Sequence, residues 1–218
     1  MISKFVSATL GLSFCLLSSQ VFSAPITLDF EGLGSHASIN EFYNGGTDSQ
    51  GNSGTNYGIT FGENSLALKE SDPSANFSHE PSAETIMFFL TGSAVLNYAP
   101  GFDTGFSFFY TTVSFSGQVD VYDDLNATGN LLGSIMIGAL GAGPDALNPF
   151  SNWEVGYLAF DGLAKSINFG GTVNQVGYDN ITFGSIDPRI IPVPEPSLIL
   201  LLLSGIGLIL IRRKDVDV

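Results

Sequence analysis

Large apolar side chains recur at every second position through the middle of this sequence, and that period restricts the fold more than any other feature. Between positions 106 and 111 the even-numbered residues are all aromatic, namely Phe106, Phe108 and Tyr110. Successive side chains of a β-strand point to opposite faces, so a period of two indicates strands rather than helices. No apolar stripe of helical period and useful length occurs between the two ends of the chain. The pattern therefore predicts an all-β domain.

Eleven short segments rich in Phe, Tyr, Val, Ile and Thr are the candidate strands, and Gly, Asn, Asp and Ser fill the intervals between them. The candidates are 26–31, 57–61, 65–69, 85–90, 94–99, 106–116, 118–122, 131–137, 153–160, 165–169 and 175–183. The Gly-rich interval 44–58 and the interval 138–151, which contains two prolines, predict long surface loops. Many short strands separated by turns predict a two-sheet, jelly-roll-like sandwich.

The predicted sandwich domain, residues 24–187, is strongly acidic. Lys69 and Lys165 are its only Lys or Arg residues, against eighteen Asp and Glu residues, which gives a formal charge of −16. Nucleic-acid binding depends on Lys and Arg side chains that displace counterions from phosphates, so this charge excludes it. The same charge repels acidic polysaccharides unless divalent cations bridge the two surfaces.

The amino-terminal end has the composition of a secretory signal peptide. Lys4 precedes an apolar run at 5–17, and the polar residues 18–20 follow. Cleavage after Ser23 satisfies the requirement for small residues at the cut, so residues 1–23 are the predicted signal peptide. Cys15, the only cysteine, lies inside the apolar run, and the exported domain is therefore expected to have neither a disulfide nor a thiol nucleophile.

The carboxyl-terminal end predicts a second membrane segment. Eleven of the fourteen residues in 198–211 are Leu or Ile, and the basic residues Arg212, Arg213 and Lys214 follow them. A helix of this length is about 21 Å long, shorter than the hydrocarbon core of about 30 Å, so its span is marginal. The positive-inside rule places the tail 212–218 in the cytoplasm and the domain outside it. A core helix is disfavoured because the run has no polar face.

A short Pro-rich motif lies in the linker 188–197, just before this span. The motif is Val193, Pro194, Glu195, Pro196 and Ser197. Motif, apolar run and basic cluster, in this order, resemble the PEP-CTERM sorting signal of exported proteins in Gram-negative bacteria. The resemblance implies an inner-membrane precursor, an exosortase-type processing enzyme as partner, and a mature form at the cell surface or outside the cell. A permanent single-span anchor with a Pro-rich stalk is the alternative.

The first and last candidate strands carry the one plausible metal site. They resemble the terminal strands of carbohydrate-binding and galactose-binding-like sandwiches, in which these strands often lie side by side. In those folds a Glu near the start and an Asp near the end bind a structural Ca²⁺. The resemblance implies Glu31 and Asp179 as ligands, with Asp29 as a weaker candidate. The alternative is that these carboxylates only make hydrogen bonds at strand ends.

A second acidic stretch, 120–130, has the spacing of a calcium loop over part of its length. With Asp124 at position one, Gly129 falls at position six, but position twelve is Ile135 where an EF-hand needs a bidentate Glu. We therefore expect a solvated turn between two strands.

Catalytic motifs are not evident in the sequence. The two histidines, His36 and His79, lie outside any spaced zinc motif, and we expect His79 and Glu80 to lie in a solvated loop. We therefore expect no enzyme, but an exported envelope or extracellular-matrix protein associated with exopolysaccharide or biofilm. The alternative is a carbohydrate-binding module, and a glycan hydrolase is less favoured. Aromatic residues that could stack on sugars are Tyr43, Tyr57, Tyr98, Trp153 and Tyr157.

Overall fold

The computed structural model describes residues 25–189. The predicted signal peptide, the sorting motif Val193–Ser197, the apolar span 198–211 and the basic cluster Arg212–Lys214 lie outside the described residues. Within 25–189, no helix combines the length and the apolar character that crossing a membrane requires.

Eleven strands and one 3-10 turn make up the regular structure of this region. The strands are β1 (Ile26–Leu28), β2 (Ile59–Phe61), β3 (Leu66–Lys69), β4 (Thr85–Phe88), β5 (Ala94–Phe102), β6 (Phe106–Thr111), β7 (Gly117–Tyr122), β8 (Leu131–Ile137), β9 (Glu154–Leu158), β10 (Ala164–Phe169) and β11 (Gly177–Phe183). The 3-10 turn spans Phe42–Asn44. Each predicted segment overlaps one of these strands, so the period-two prediction is confirmed.

Several strand ends differ from the prediction, and two of these differences have clear local reasons. β6 ends at Thr111 rather than at 116, because the Thr112 hydroxyl donates to the Phe115 carbonyl at 2.7 Å and turns the chain. β5 continues to Phe102 rather than ending at 99, because Phe102 still pairs with Ala164 beyond a register shift between β5 and β10.

The strands form two antiparallel sheets. In the first sheet the order is β3-β4-β11-β6-β9, and in the second it is β2-β5-β10-β7-β8. β1 joins the first sheet through β11, and the pairs Ile26–Phe183 and Leu28–Ile181 are in register. The start of β11 pairs instead with β4, through Tyr178 and Met87. The all-β sandwich is thus confirmed, and its first and last strands lie side by side.

Aromatic side chains fill the space between the sheets. Phe108 and Phe169 meet edge to face with ring centroids 5.7 Å apart, and Tyr178 packs on Phe169 at 5.0 Å. Full burial of each such side chain contributes about 1.5 to 3 kcal/mol. The buried residues of the main core lie between Leu28 and Phe183. The segment 25–189 therefore has a core large enough to fold without the flanking segments.

One lateral side of the sandwich is closed by the chain segment 36–43. The His36 amide donates to the Ala67 carbonyl of β3 at 2.7 Å, and the Ile39 amide donates to the Ser65 carbonyl just before β3 at 3.0 Å. The Phe61 amide of β2 donates to the Asn40 carbonyl at 2.9 Å. This segment therefore covers the outer edge of one strand in each sheet.

Candidate functional site

The two carboxylates predicted at the terminal strands meet at Ser82, in the loop before β4. The Ser82 hydroxyl lies 3.0 Å from Asp179 Oδ1 and 3.2 Å from Glu31 Oε1, and the Ser82 amide donates to Asp179 Oδ2 at 2.7 Å. Glu31 Oε1 also accepts the amides of Glu84 and Thr85, both at 2.9 Å. The structure thus brings Glu31 and Asp179 together, as the resemblance implied.

Unusual backbone conformations position both carboxylates. β11 shifts register against β6 between Asp179 and Thr182, and Asn180 within this bulge has φ +47°. Asn tolerates the left-handed region better than most residues do. Phe30 has φ +62°, and its amide donates to the buried Tyr43 hydroxyl at 2.8 Å. This contact fixes the turn that directs Glu31 toward Ser82.

Asp179 is fully buried, and burial raises its pKa to about 8. The Ser82 amide and hydroxyl and the Asn180 amide oppose this rise, whereas the Glu31 charge adds to it. None of the ion pairs among the described residues involves either carboxylate. The Ser82 hydroxyl carries one hydrogen and faces three acceptors, because the Thr85 carbonyl lies 3.2 Å away as well. The cluster therefore has more hydrogen-bond acceptors than the Ser82 hydroxyl can satisfy.

Asp29 does not share these hydrogen-bond donors. It is exposed, and its Oδ1 accepts the Glu31 amide at 3.2 Å. Asp29 and Glu31 both line a pocket of about 220 Å³, together with Tyr43 and Tyr57. No group of three or more His, Cys, Asp or Glu side chains placed to hold a metal ion occurs within 25–189.

A calcium ion takes six to eight oxygen ligands, and Glu31 and Asp179 supply at most four. Backbone carbonyls, such as that of Thr85, would have to complete the set. Four backbone amides already point at these oxygens, as the strand-end hydrogen-bonding interpretation predicts. Calcium binding stays a prediction.

Glu80 is a buried acidic group that the sequence did not indicate. Both of its carboxylate oxygens are inaccessible and have no hydrogen-bond partner among the described residues. Burial raises its pKa, and the charges of Glu70 and Glu31 add to the rise. The solvated loop expected here describes the exposed His79 but is wrong for the Glu80 carboxylate.

A broad polar cavity lies elsewhere, beside the start of β9. Its volume is about 620 Å³, and its lining comprises Tyr110, Gly138, Ala139, Leu140, Asn152, Trp153 and Glu154. We call it the Trp153 pocket. The Glu154 carboxylate is exposed and accepts the Tyr110 hydroxyl at 3.4 Å. Burial, together with the Glu154 charge, raises the pKa of Tyr110. The pocket thus combines an indole with a carboxylate and a phenol.

Two contacts hold the walls of the Trp153 pocket in place. The Trp153 indole donates from Nε1 to the Ser78 carbonyl at 3.0 Å, which fixes the orientation of the ring. The Asn152 side-chain amide lies 3.2 Å from the Leu140 carbonyl and 3.3 Å from the Ala142 carbonyl. The predicted loop 138–151 therefore forms one wall of the pocket.

The remaining aromatic candidates differ in accessibility. Tyr43 is 3% exposed, so it is a core residue and cannot stack on a ligand. Tyr57 packs on Tyr43 with ring centroids 6.2 Å apart, and Tyr98 is half-buried and packs against the main core. Tyr157, on β9, is 57% exposed and lies outside the pocket lining.

The acidic stretch 120–130 forms the turn expected between β7 and β8. Asp123 accepts the Asn130 amide at 2.7 Å and the Asn130 side-chain amide at 2.8 Å, which closes the turn.

No protein family and no curated protein matches the chain. Among solved structures, it is similar to the K2 cleaved adhesin domain of Lys-gingipain, with 13% identity and a TM-score of 0.46, over 73% of this chain and 99% of that one. A carbohydrate-binding module of Cellvibrio mixtus lichenase 5A, in complex with cellotriose, gives 10% identity and a TM-score of 0.33, over 56% and 87%. The chain is also similar to a glycoside hydrolase family 43 arabinoxylan arabinofuranohydrolase from Bacillus subtilis, in complex with cellotetraose. The sequence identity is 18% and the TM-score is 0.39, over 57% of this chain and 25% of that enzyme. These similarities are distant and assign no activity.

Proposed function

We propose that this chain is an exported, non-enzymatic protein of the cell envelope or extracellular matrix whose sandwich binds polysaccharide. The observation that carries the binding proposal is the Trp153 pocket. Its volume of about 620 Å³ lies within the range of ordinary small-molecule sites.

The lining of the pocket suits a neutral sugar. The half-buried Trp153 ring packs against the smaller core cluster of Phe77 and Phe150, and its remaining surface lines the pocket. The Asn152 amide and the Glu154 carboxylate offer hydrogen-bond groups to hydroxyls. The domain charge of −16 disfavours acidic glycans, so we infer a neutral ligand. The lining contains one carboxylate, whereas glycoside hydrolysis ordinarily uses two, which favours binding over cleavage.

The sorting half of the proposal rests on the carboxyl-terminal sequence. The motif at 193–197, the apolar run and the basic cluster support delivery through an inner-membrane precursor to an exosortase-type enzyme. Release outside the cytoplasm would then place the domain among exopolysaccharides.

A glycan array with the purified segment 25–189 tests the binding half. We expect micromolar binding to one class of neutral glycan, and a loss of at least about tenfold, or 1.4 kcal/mol, in Trp153→Ala and Glu154→Gln. Glu154→Gln is included because Glu154 is exposed and its replacement should leave the fold intact. Tyr157→Ala is the matched control, since Tyr157 lies on the same strand but outside the pocket.

Absence of binding to every neutral glycan would refute the polysaccharide proposal. So would binding that Tyr157→Ala removes and the two pocket variants leave unchanged. Melting temperatures of all variants separate a lost contact from a lost fold.

A further inference from the structure

A second polar pocket lies where the chain after β1, the 3-10 turn and the loop before β2 meet. Its volume is about 220 Å³, and we call it the Tyr57 pocket. Its lining includes two carboxylates, two phenols and two aliphatic hydroxyls, from Asp29, Glu31, Tyr43, Tyr57, Ser53 and Thr55. It shares no lining residue with the Trp153 pocket. The two pockets are therefore separate candidate sites.

Backbone contacts hold the loop wall of the Tyr57 pocket in place. The Gly54 amide donates to the Phe42 carbonyl at 3.2 Å, and the Tyr57 amide donates to the Tyr43 carbonyl at 2.8 Å. A Cβ added at Gly54 would collide with the Phe42 ring, so only a glycine lets the loop lie this close to the 3-10 turn. The pocket is therefore preformed, as small-molecule sites usually are.

The Tyr43 hydroxyl lines this pocket as a buried donor with an unused hydrogen. Tyr43 is 3% exposed, and its hydroxyl oxygen accepts the Phe30 amide at 2.8 Å. Among the described residues, no hydrogen bond uses the hydrogen of this hydroxyl. Burial raises the pKa of Tyr43 well above its ordinary value, and the Asp29 charge adds to the rise, so the hydroxyl keeps its hydrogen. A ligand oxygen in the pocket would supply the missing acceptor.

The two carboxylates of the pocket favour a cationic group. None of the ion pairs among the described residues includes Asp29 or Glu31. The half-buried Tyr57 ring lines the same pocket, and aromatic rings attract ammonium groups over their faces. The surrounding domain carries a formal charge of −16, which attracts cations and repels anions. A ligand that carries both a positive charge and hydroxyl oxygens therefore matches the lining.

We propose that the Tyr57 pocket binds a protonated amino sugar, such as a glucosamine unit of an exopolysaccharide. Asp29 is the main partner of the ammonium group, because its carboxylate is exposed, whereas Glu31 already accepts the amides of Glu84 and Thr85. The Tyr43 hydroxyl donates to an oxygen of the sugar.

The lining also favours one sugar unit over other cationic ligands. A volume of about 220 Å³ is below the range of about 300 to 1,000 Å³ that drug-sized ligands occupy, so it suits a single unit rather than several. A lysine side chain carries the same charge but has no oxygen for the Tyr43 hydroxyl. The inference does not require the Trp153 pocket to bind glycan.

Isothermal titration calorimetry of the segment 25–189 tests the proposal with two probes, the fully deacetylated glucosamine tetramer and its N-acetylated counterpart. At about pH 6 the free amines are protonated, and we expect the deacetylated tetramer to bind at least about tenfold more tightly. Asp29→Asn should remove this preference, because it deletes the charge but keeps the oxygen that accepts the Glu31 amide. Asp124→Asn is the matched control, since it removes one exposed carboxylate outside the pocket.

Four outcomes would overturn the proposal. They are equal affinity for the two probes, an equal loss in Asp29→Asn and Asp124→Asn, loss of the preference in Trp153→Ala, and a lysine tetrapeptide that binds as tightly as the deacetylated sugar. The second would show that the field of the whole domain attracts the amine, and the third would place the sugar in the Trp153 pocket. Calcium that displaces the sugar only from the wild type would assign the Tyr57 pocket to a metal ion and would also overturn the proposal. Melting temperatures show whether each variant is folded.

Discussion

The buried carboxyl of Asp179 makes the folding stability of the domain depend on pH. Its carboxyl is fully buried, and the pKa rises from the ordinary 3.8 to about 8. The folded protein therefore holds a proton that the unfolded chain releases as the pH passes 4. Folding stability from this group is fully present below pH 4, falls as the pH rises, and is lost above pH 8.

Replacement of Asp179 by Asn removes the titration while keeping the shape. Each pH unit between the two pKa values is worth about 1.4 kcal/mol, so the wild type loses up to about 6 kcal/mol across the window. The variant does not lose this stability as the pH rises. However, its side-chain NH2 group cannot accept the hydrogen bond from the Ser82 backbone amide, which costs about 1 to 3 kcal/mol. We expect Asp179→Asn to be less stable than or equal to the wild type at pH 5 and more stable by roughly 3 to 5 kcal/mol at pH 9.

Urea unfolding from pH 5 to 9, in chelator, measures this difference. The diagnostic quantity is the change with pH of the stability difference between the variant and the wild type, because the cost of the unpaired amide does not depend on pH. Asp123→Asn is the matched control, since hydrogen bonds from Asn130 lower the pKa of that exposed carboxyl rather than raising it. The control should therefore show no rise in relative stability with pH.

The same titration in calcium separates the two interpretations of the site. Bound Ca²⁺ would hold both carboxylates ionised, and calcium at 100 times its Kd would stabilise the wild type by about 2.7 kcal/mol while leaving Asp179→Asn unaffected. Without a calcium site, chelator and calcium give the same curves. Parallel curves for the wild type and Asp179→Asn in chelator would refute the reasoning, because Asp179 would then be ionised in the folded state.

Two further predictions concern a hydrogen bond and the tail. Tyr43→Phe should destabilise the domain by about 1 to 3 kcal/mol, because the Phe30 amide loses its buried acceptor. Tyr57→Phe, at a half-exposed ring, is the control, and thermal unfolding measures the stability of both variants. An equal loss in both variants would contradict the role of the Tyr43 hydroxyl. Mass spectrometry of surface-released protein should show an end near Pro194–Pro196, because the motif lies just outside the predicted span. Recovery of intact chains ending beyond Lys214 would contradict processing there.

The strands could be predicted from the sequence because each has a local pattern of apolar and β-favouring residues. The alternation of Phe106, Phe108 and Tyr110 matches a strand with its aromatic face against the core, and the structure buries all three. The strand ends were less accessible, since they depend on individual contacts. The Thr112 hydroxyl that ends β6 belongs to a residue type that also favours strands, so composition alone gives no sign of the turn.

The candidate sites were accessible only in part. Resemblance indicated Glu31 and Asp179, but not Ser82, which meets Asp179 across 97 positions of sequence. The burial of the unpaired Glu80 carboxylate could not be predicted either, because a polar sequence does not show which side chains are buried. The Trp153 pocket joins β6, β9 and the loop after β8, and only the pairing of strands brings those segments together.

The acidic cluster connects strands that do not all pair with one another. β11 pairs with β4 at its start and with β1 at its end, so the two strands meet along one partner. Glu31 follows β1, and the amides of Glu84 and Thr85 that it accepts lie at the start of β4. Asp179 on β11 binds Ser82 of the same loop. The two carboxylates therefore join three strands that the backbone ladder connects only pairwise, which indicates a structural role for them in the fold.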